Sequence, residues 1–258
     1  MFSKVTIVMA VHNGSYYIGH SIRSILNQNY RKWELLIVND NSLDNTLEII
    51  KKFKSRKIKV INLKKKSGPY KSLSIGFKKA KGKYIAILDS DDIAHPNRIK
   101  NQVKVLDAEK KIALVTSWYQ KIDSNNKIIK KIKIPLDKNF FLEQFPCKNL
   151  ICNSSVMFRR NILNKINYFN KNFIYSNDYN FFLKVFLKYR IKIINKFYTS
   201  YRIHNNQMSQ SRKLKRIIYN ENLKHLKWSK NHGLINKKNI ILYIKIYFIN
   251  YFKLLINY

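Results

Sequence analysis

Tyr84-Ile85-Ala86-Ile87-Leu88-Asp89-Ser90-Asp91-Asp92 is the stretch whose reading decides the fold. Apolar and aromatic residues stand between Lys81-Gly82-Lys83 and a cluster of carboxylates, which is the length and composition of a buried parallel strand. Carboxylates this close repel one another, by up to roughly 4 kcal/mol for a pair at about 4 Å in an effective dielectric of about 20, unless a cation or a proton relieves them. Asp89, Asp91 and Asp92 therefore read as a candidate metal site. The competing reading is a helix-capping turn, in which Asp and Ser cap and Pro96 takes the first helical position.

Upstream, residues 5–11 form a continuous apolar run followed by the turn signal His12-Asn13-Gly14. Ser15 is placed to cap a helix whose apolar face runs Ile18, Ile22, Ile25 and Leu26. A second run, 33–38, stops at Asn39-Asp40-Asn41-Ser42, and Asp44 begins a helix with Leu47, Ile50 and Phe53 inward. Residues 58–63 make a third strand, and Ser67-Gly68-Pro69 breaks the chain before a helix over 73–80. Strand-helix alternation predicts right-handed crossovers and a parallel sheet with helices on both faces. Ligands of such sheets sit outside the carboxyl ends of the strands. His12-Asn13, Asn39-Asp40 and Asp89 to Asp92 all fall there, so one rim collects three polar clusters.

Downstream, Pro96 opens a helix carrying Ile99, Val103 and Leu106. Residues 112–120 and 128–134 read as strands joined through Asp123-Ser124-Asn125-Asn126, with a short helix at 140–145 and a short strand at 154–158. Phe182, Val185, Phe186 and Tyr189 form one helical stripe, with Asp178 just ahead of it where an N-cap would stand. Residues 191–204 are mostly strand and end in Tyr201-Arg202-Ile203-His204. No repeat and no Gly/Ser linker divides the chain. The character changes near Ser211, so residues 1–210 read as a catalytic domain and 211–258 as a basic, apolar helical extension. Its last part, 240–256, is dense in Ile, Tyr, Phe and Leu with Lys245 and Lys253 interspersed. That pattern suits either an anionic membrane interface or a terminal helix packed on the domain.

Charge is the anomaly of the composition. Lys+Arg of 51 against Asp+Glu of 14 gives +37, pointing to an anionic partner or to compositional drift toward Lys, Asn, Ile, Tyr and Phe. The scarcity of acids makes the cluster at residues 89–92 harder to read as chance. A hydrophobic fraction of 45% excludes a disordered chain. Cys147 and Cys152 form no C-x-x-C, which fits a reduced, cytosolic protein. The seven mostly apolar residues at 5–11 are a strand and not a signal peptide, and no window has the roughly 18 uncharged apolar residues of a spanning helix. The expected location is cytoplasmic, peripheral on the inner face of the cytoplasmic membrane.

The order of these motifs resembles family 2 glycosyltransferases, inverting enzymes of bacterial surface-polysaccharide synthesis, over roughly residues 3–210. The resemblance implies a Rossmann-like glycosyltransferase A-type α/β fold, a central mostly parallel sheet flanked by helices. Val11-His12-Asn13-Gly14 is similar to the family's first-strand Val-Tyr-Asn-Gly, which places Val11 and Asn13 at the nucleotide sugar. Val38-Asn39-Asp40-Asn41-Ser42-Leu43-Asp44 resembles Val-Asp-Asp-Gly-Ser-Thr-Asp, whose second aspartate contacts uracil, here Asp40. Asn39 and Asn41 depart from that pattern. The segment 68–76 is similar to one that commonly carries Ala-Arg-Asn where this chain has Ser72-Leu73-Ser74.

Leu88-Asp89-Ser90-Asp91-Asp92 resembles the family's Asp-x-Asp motif. The resemblance implies Asp91 as the principal ligand of Mn²⁺ or Mg²⁺, with Asp89 and Ser90 on the nucleotide-sugar side. Such an ion takes few protein carboxylates when a diphosphate supplies the remaining oxygens. It also stabilises the leaving nucleoside diphosphate. Ser176-Asn177-Asp178-Tyr179-Asn180 resembles Glu-Asp-Tyr-Asp, which makes Asp178 the base that removes the acceptor hydroxyl proton. Tyr201-Arg202-Ile203-His204, with Gln207 and Ser209, resembles a segment that closes over the diphosphate. Arg202 would pair with phosphate oxygens, and His204 would approach the metal or serve as a structural strand end. Residues 153–159 are similar to a segment near the acceptor cleft.

The expected activity is transfer of a sugar, hexosyl or N-acetylhexosaminyl, from a nucleotide-sugar donor, UDP-linked, to a glycan or lipid-linked acceptor. Two rivals stand beside it. A basic nucleic-acid-binding protein would explain the charge, but no nucleic-acid motif is present and the lysines are spread along the chain. A sugar nucleotidyltransferase would need a Gly-rich N-terminal phosphate loop, which is missing. No specific nucleic-acid partner is therefore expected, and oligomeric state is not encoded in any motif.

Overall fold

The computed structural model describes residues 4–205, 207 and 214–256. The four apolar runs of the N-terminal half become β1 (Val5–Val11), β2 (Trp33–Asn39), β3 (Ile58–Asn62) and β4 (Tyr84–Ile87). They pair in parallel in the order β3-β2-β1-β4. Their crossovers carry α1 (Ile18–Leu26), α2 (Thr46–Lys51) and α3 (Pro69–Lys79). β1 explains why its run is continuous: both faces are covered. Val5, Ile7, Met9 and Val11 pack with Ile18, Ile22 and Ile25 of α1, while Val8 packs with Leu73 and Phe77 of α3 on the opposite face. α3 lies close on β1 because Gly76 has no side chain; a Cβ there would stand 2.4 Å from Cγ1 of Val8.

Past β4 the sheet is mixed. A two-residue β5 (Ile93–Ala94) precedes α4 (Arg98–Ala108), β6 (Ile112–Ile122), β7 (Ile128–Ile132), α5 (Lys138–Gln144) and β8 (Met157–Arg159). β8 inserts antiparallel between β4 and β6. β9 (Arg190–Arg202) runs parallel to β6, and β5 pairs antiparallel with β9. The mostly parallel sheet is thus realised in β3-β2-β1-β4, whereas the other half mixes both senses. One antiparallel pair is set locally: β6 and β7 are joined by a tight turn with Asn126 at φ 69°, and such a turn links only antiparallel strands.

α6 (Asn177–Lys188) contributes Phe181, Phe182, Leu183 and Val185 to the core on the α3 side. α7 (Lys215–Asn231) and α8 (Ile240–Ile256) pack together through Leu223, Leu226, Leu242, Tyr243 and Ile246, with Cys147 of the sheet domain in the same cluster. The 210/211 boundary and Ser209 lie outside the described residues. Among the described residues no helix is long and apolar enough to cross a membrane.

Three capping expectations are corrected. α1 begins at Ile18 after Tyr17, with no side-chain cap, so Ser15 does not cap it; instead the Ser15 amide donates to Asp44 at 3.1 Å. α4 begins at Arg98, not at Pro96, and Asn97 provides no side-chain cap. None of the carboxylates at 89–92 caps that helix. Asp178 lies inside the first turn of α6, beyond the N-cap residue Ser176.

Candidate active site

The loops after β1 and β2 lock to each other and form one wall of the site. Asn13 adopts φ 52°, the left-handed region that Asn tolerates. Its amide donates to Ser42 Oγ at 3.0 Å, and its side-chain oxygen accepts from the Leu43 amide at 2.8 Å. The Gly14 amide donates to Thr46 Oγ1 at 2.8 Å. Asp40 is 1% exposed, and its two carboxylate oxygens accept the Ser67 and Gly68 amides at 2.7 and 2.8 Å. It therefore pins the turn that opens α3, where Gly68 at φ 88° precedes Pro69.

The carboxylate loop after β4 separates its members, so the three aspartates do not form one metal cluster. Asp92 is fully buried; one oxygen accepts the Arg202 amide at 2.8 Å and the other has no protein partner. Burial, then the charges of Asp91 and Asp89, pushes its carboxyl well above the ordinary range. Asp89 accepts from Asn153 Nδ2 at 3.1 Å, and its amide donates to Ser154 Oγ at 2.9 Å. Its carboxyl is pushed up to about 7, by burial first and by Asp91 second. Asp91 points to His204, whose Nε2 lies 3.0 Å from its Oδ2. The His204 ring also packs at 4.8 Å on Tyr17.

Arg202 corrects an expectation. It does not reach toward a phosphate: it is 0% exposed and its guanidinium is engaged throughout the loop architecture. Nε donates to the Asp91 carbonyl at 2.8 Å, Nη1 to the carbonyls of Asp123 and Ser124, and Nη2 to Asn126 Oδ1 at 2.7 Å. It also stacks 4.5 Å above the Tyr17 ring. Arg202 ties the end of β9 to the β6–β7 turn and to the loop that carries Asp91.

These loops open on a cavity of about 1400 Å³ at the carboxyl ends of β1, β2 and β4. It exceeds the volume of about 300–1,000 Å³ typical of small-ligand sites. Val11, Asn13, Asp40, Asp89, Ser90, Asp91 and His204 line it, as does Asp178 on the α6 side. Burial pushes the Asp178 carboxyl up to about 6 although backbone amides and Tyr70 hold it down. Such a carboxyl is ionised at neutral pH yet basic enough to take a proton. The Tyr70 hydroxyl lies 3.5 Å from Asp178 Oδ1 and donates to the Tyr175 carbonyl.

Among the described residues no group of three or more His, Cys, Asp or Glu is placed to hold a metal. Asp91 and His204 nevertheless supply one carboxylate and one imidazole on the cavity wall, which fits an ion completed by substrate phosphates. Other lining residues escaped sequence reading. Lys66 and Lys121 bring cations to the cavity, and Ile218 and Asn222 reach it from α7. Lys66 belongs to a Lys64-Lys65-Lys66 run in a chain full of lysine, so nothing in its composition marks it.

A parallel α/β half with its cleft at the strand carboxyl ends, completed by a carboxylate from the mixed half, is the arrangement in which open α/β sheets hold their ligands. More narrowly, the chain belongs to glycosyl transferase family 2, whose family model matches residues 6–167. It is a glycosyltransferase with the A-type fold. An uncharacterized glycosyltransferase of Methanocaldococcus jannaschii is 35% identical over 229 residues, covering 83% of this chain and 76% of that one. The Escherichia coli UDP-Glc:alpha-D-GlcNAc-diphosphoundecaprenol beta-1,3-glucosyltransferase WfgD is 29% identical over 212 residues, 81% of this chain and 80% of its own. The mannosyltransferase PcManGT from Pyrobaculum calidifontis, solved with GDP-Man and Mn²⁺, has a TM-score of 0.71 at 16% identity, covering 100% of this chain and 73% of that one. That likeness is one of fold. The matched span 6–167 includes the loop at 89–92 but ends before Asp178.

Proposed function

We propose that the protein transfers a sugar, with inversion, from a UDP-linked donor to a lipid-linked glycan acceptor in surface-polysaccharide synthesis. The observation that carries this reading is one cavity with the Asp91–His204 pair on one wall and the recessed Asp178 on another. The E. coli relative acts on a UDP-glucose donor and a diphosphoundecaprenol acceptor, which favours the same classes here. Asp178 takes the proton of the acceptor hydroxyl as its oxygen bonds to the anomeric carbon, and the bond from that carbon to the diphosphate breaks on the opposite face. Asp91 and His204 would hold Mn²⁺ or Mg²⁺, which would offset the charge that develops on the departing diphosphate. Lys66 and Lys121 add positive charge in the same cavity. Val11, Asn13 and Asp40 form the base side, where the Asp40 carboxylate has lone pairs beyond the two amides it accepts. Asp89 and Ser90 lie toward the sugar.

Peripheral membrane attachment is part of this proposal. α8 packs one side on α7 and leaves Ile241, Ile244, Phe248, Phe252 and Leu255 exposed. Residues 211–258 contain a single acid, Glu221, which is buried. An apolar stripe on a basic helical pair complements an anionic lipid surface.

Calorimetry with UDP, with and without Mn²⁺, tests the enzymatic reading. Metal-dependent binding that Asp91→Ala removes is expected. No binding by the unaltered protein, or binding indifferent to Asp91→Ala, would overturn it. A screen of nucleotide sugars for metal-dependent hydrolysis or transfer then fixes the donor.

A further inference from the structure

α6 delivers Asp178 to the cavity, yet its own N-cap residue makes no side-chain cap bond. The backbone amides of the turn that leads into α6 need acceptors. They find them in one residue from the far end of the chain. Glu221 on α7 is 2% exposed, and its carboxylate accepts the amide of Ile174, the amide of Tyr175 at 3.1 Å and the amide of Ser176 at 3.0 Å. The Ser176 hydroxyl adds a fourth bond at 2.7 Å. A buried carboxylate that gathers three successive amides and a hydroxyl is held by charge-assisted hydrogen bonds.

One turn along α7, His225 is 1% exposed and its Nε2 lies 2.8 Å from Ser176 Oγ. Ser176 has one proton and donates it to Glu221, so His225 donates from Nε2, and its Nδ1 is left bare and without a partner. Burial holds that ring neutral, with its pKa pushed down to about 3. Phe173 stacks on it at 4.3 Å. The segment so gripped leads directly into the catalytic side: the Tyr175 carbonyl receives the Tyr70 hydroxyl, which touches Asp178.

We propose that Glu221 is a positioning residue for Asp178, holding the turn at residues 174–176 from α7 with Ser176 and His225 as its supports. This rests on the reading of Asp178 as the base. It makes α7 a part of the active site, consistent with Ile218 and Asn222 lining the same cavity. The groups that face Asp178 are Glu221 from α7, Tyr70 from α3, Asp89 from the loop after β4 and Tyr168 from the segment before α6. His225, being neutral, adds no charge. Burial raises the Asp178 carboxyl first, and the charge of Glu221 adds to it.

The test is Glu221→Gln, read in two ways. Carbon-13 titration of carboxyl-labelled Asp, with Asp178→Asn to assign the resonance, should show the Asp178 midpoint moved to lower pH. Hydrolysis of UDP-glucose in Mn²⁺ should fall by about 10²-fold, as a displaced catalytic group predicts, with UDP affinity unchanged. A residue that only stabilised the fold would lower the melting temperature and, through its lost charge, move the Asp178 midpoint, but would leave the hydrolysis rate below that temperature unchanged; an unchanged rate overturns the proposal. If Glu221→Gln does not fold, Ser176→Ala carries the test, and an unchanged hydrolysis rate in that variant overturns it. If Asp178→Asn keeps its activity, the base assignment itself fails. If Asp178→Asn is inactive while Glu221→Gln behaves as wild type, the positioning role alone fails.

Discussion

Arg202→Lys separates two roles that both call for a cation. In the structure the guanidinium makes four side-chain hydrogen bonds, to the carbonyls of Asp91, Asp123 and Ser124 and to Asn126 Oδ1. A lysine ammonium is a single donor centre and cannot span acceptors that the planar fork reaches from three nitrogens. At least two acceptors lose their partner. With each hydrogen bond to a charged group contributing about 1.5–3 kcal/mol, the loss amounts to about 3–6 kcal/mol. For a domain of this size each kcal/mol shifts the melting temperature by about 2–4 °C, so a fall of about 6–24 °C is expected. Thermal unfolding by circular dichroism reads it. A melting temperature equal to wild type, together with a raised KM for the nucleotide sugar, would show that Arg202 serves a phosphate and would refute its role as a tie between loops.

Asp178→Asn should lower turnover by about 10²–10⁴-fold, the usual contribution of a general base, while calorimetry shows UDP binding retained. Because the acting form is the carboxylate, kcat of the unaltered enzyme should decline as pH falls through about 6 and level off above it. Gly82→Ala should lower the urea midpoint, with a cost of about 1–3 kcal/mol for overpacking; its Cβ would stand 2.5 Å from the Thr6 amide nitrogen and 2.9 Å from the Tyr84 carbonyl oxygen, both backbone. Ile244→Glu with Phe248→Glu places two acids on the exposed face of α8 and should abolish co-sedimentation with phosphatidylglycerol vesicles while leaving UDP binding intact. Undiminished vesicle binding by the double variant would remove the membrane-docking reading.

The two halves of the sheet differed in how plainly they could be read. β1 to β4 are legible because each is a continuous apolar run closed by a polar turn, and their alternation with helices leaves few topologies. β5 is only two residues long and carries no period, and the antiparallel insertion of β8 between β4 and β6 depends on partners distant in sequence. Asp91 stands out as part of a carboxylate cluster in a chain with few acids, Asp178 only through the resemblance of residues 176–180, and the structure brings both to one cavity. Lys66 and Lys121 could not stand out among so many lysines.

By itself, the sequence determined the strand-helix order, the carboxylate loop after β4 and the basic, apolar character of the C-terminal helices. Those features are local, set by hydrophobic period and by side-chain type at fixed spacing. Tertiary structure alone decided how the polar groups are spent: Arg202 on carbonyls of the β6–β7 turn, Asp92 on the Arg202 amide, and Glu221 on the amides before α6. The partners in each case are backbone groups, which every residue carries alike, so no residue type marks them in advance. Which buried charge meets which backbone atom is fixed only when the sheet and α7 bring distant segments together.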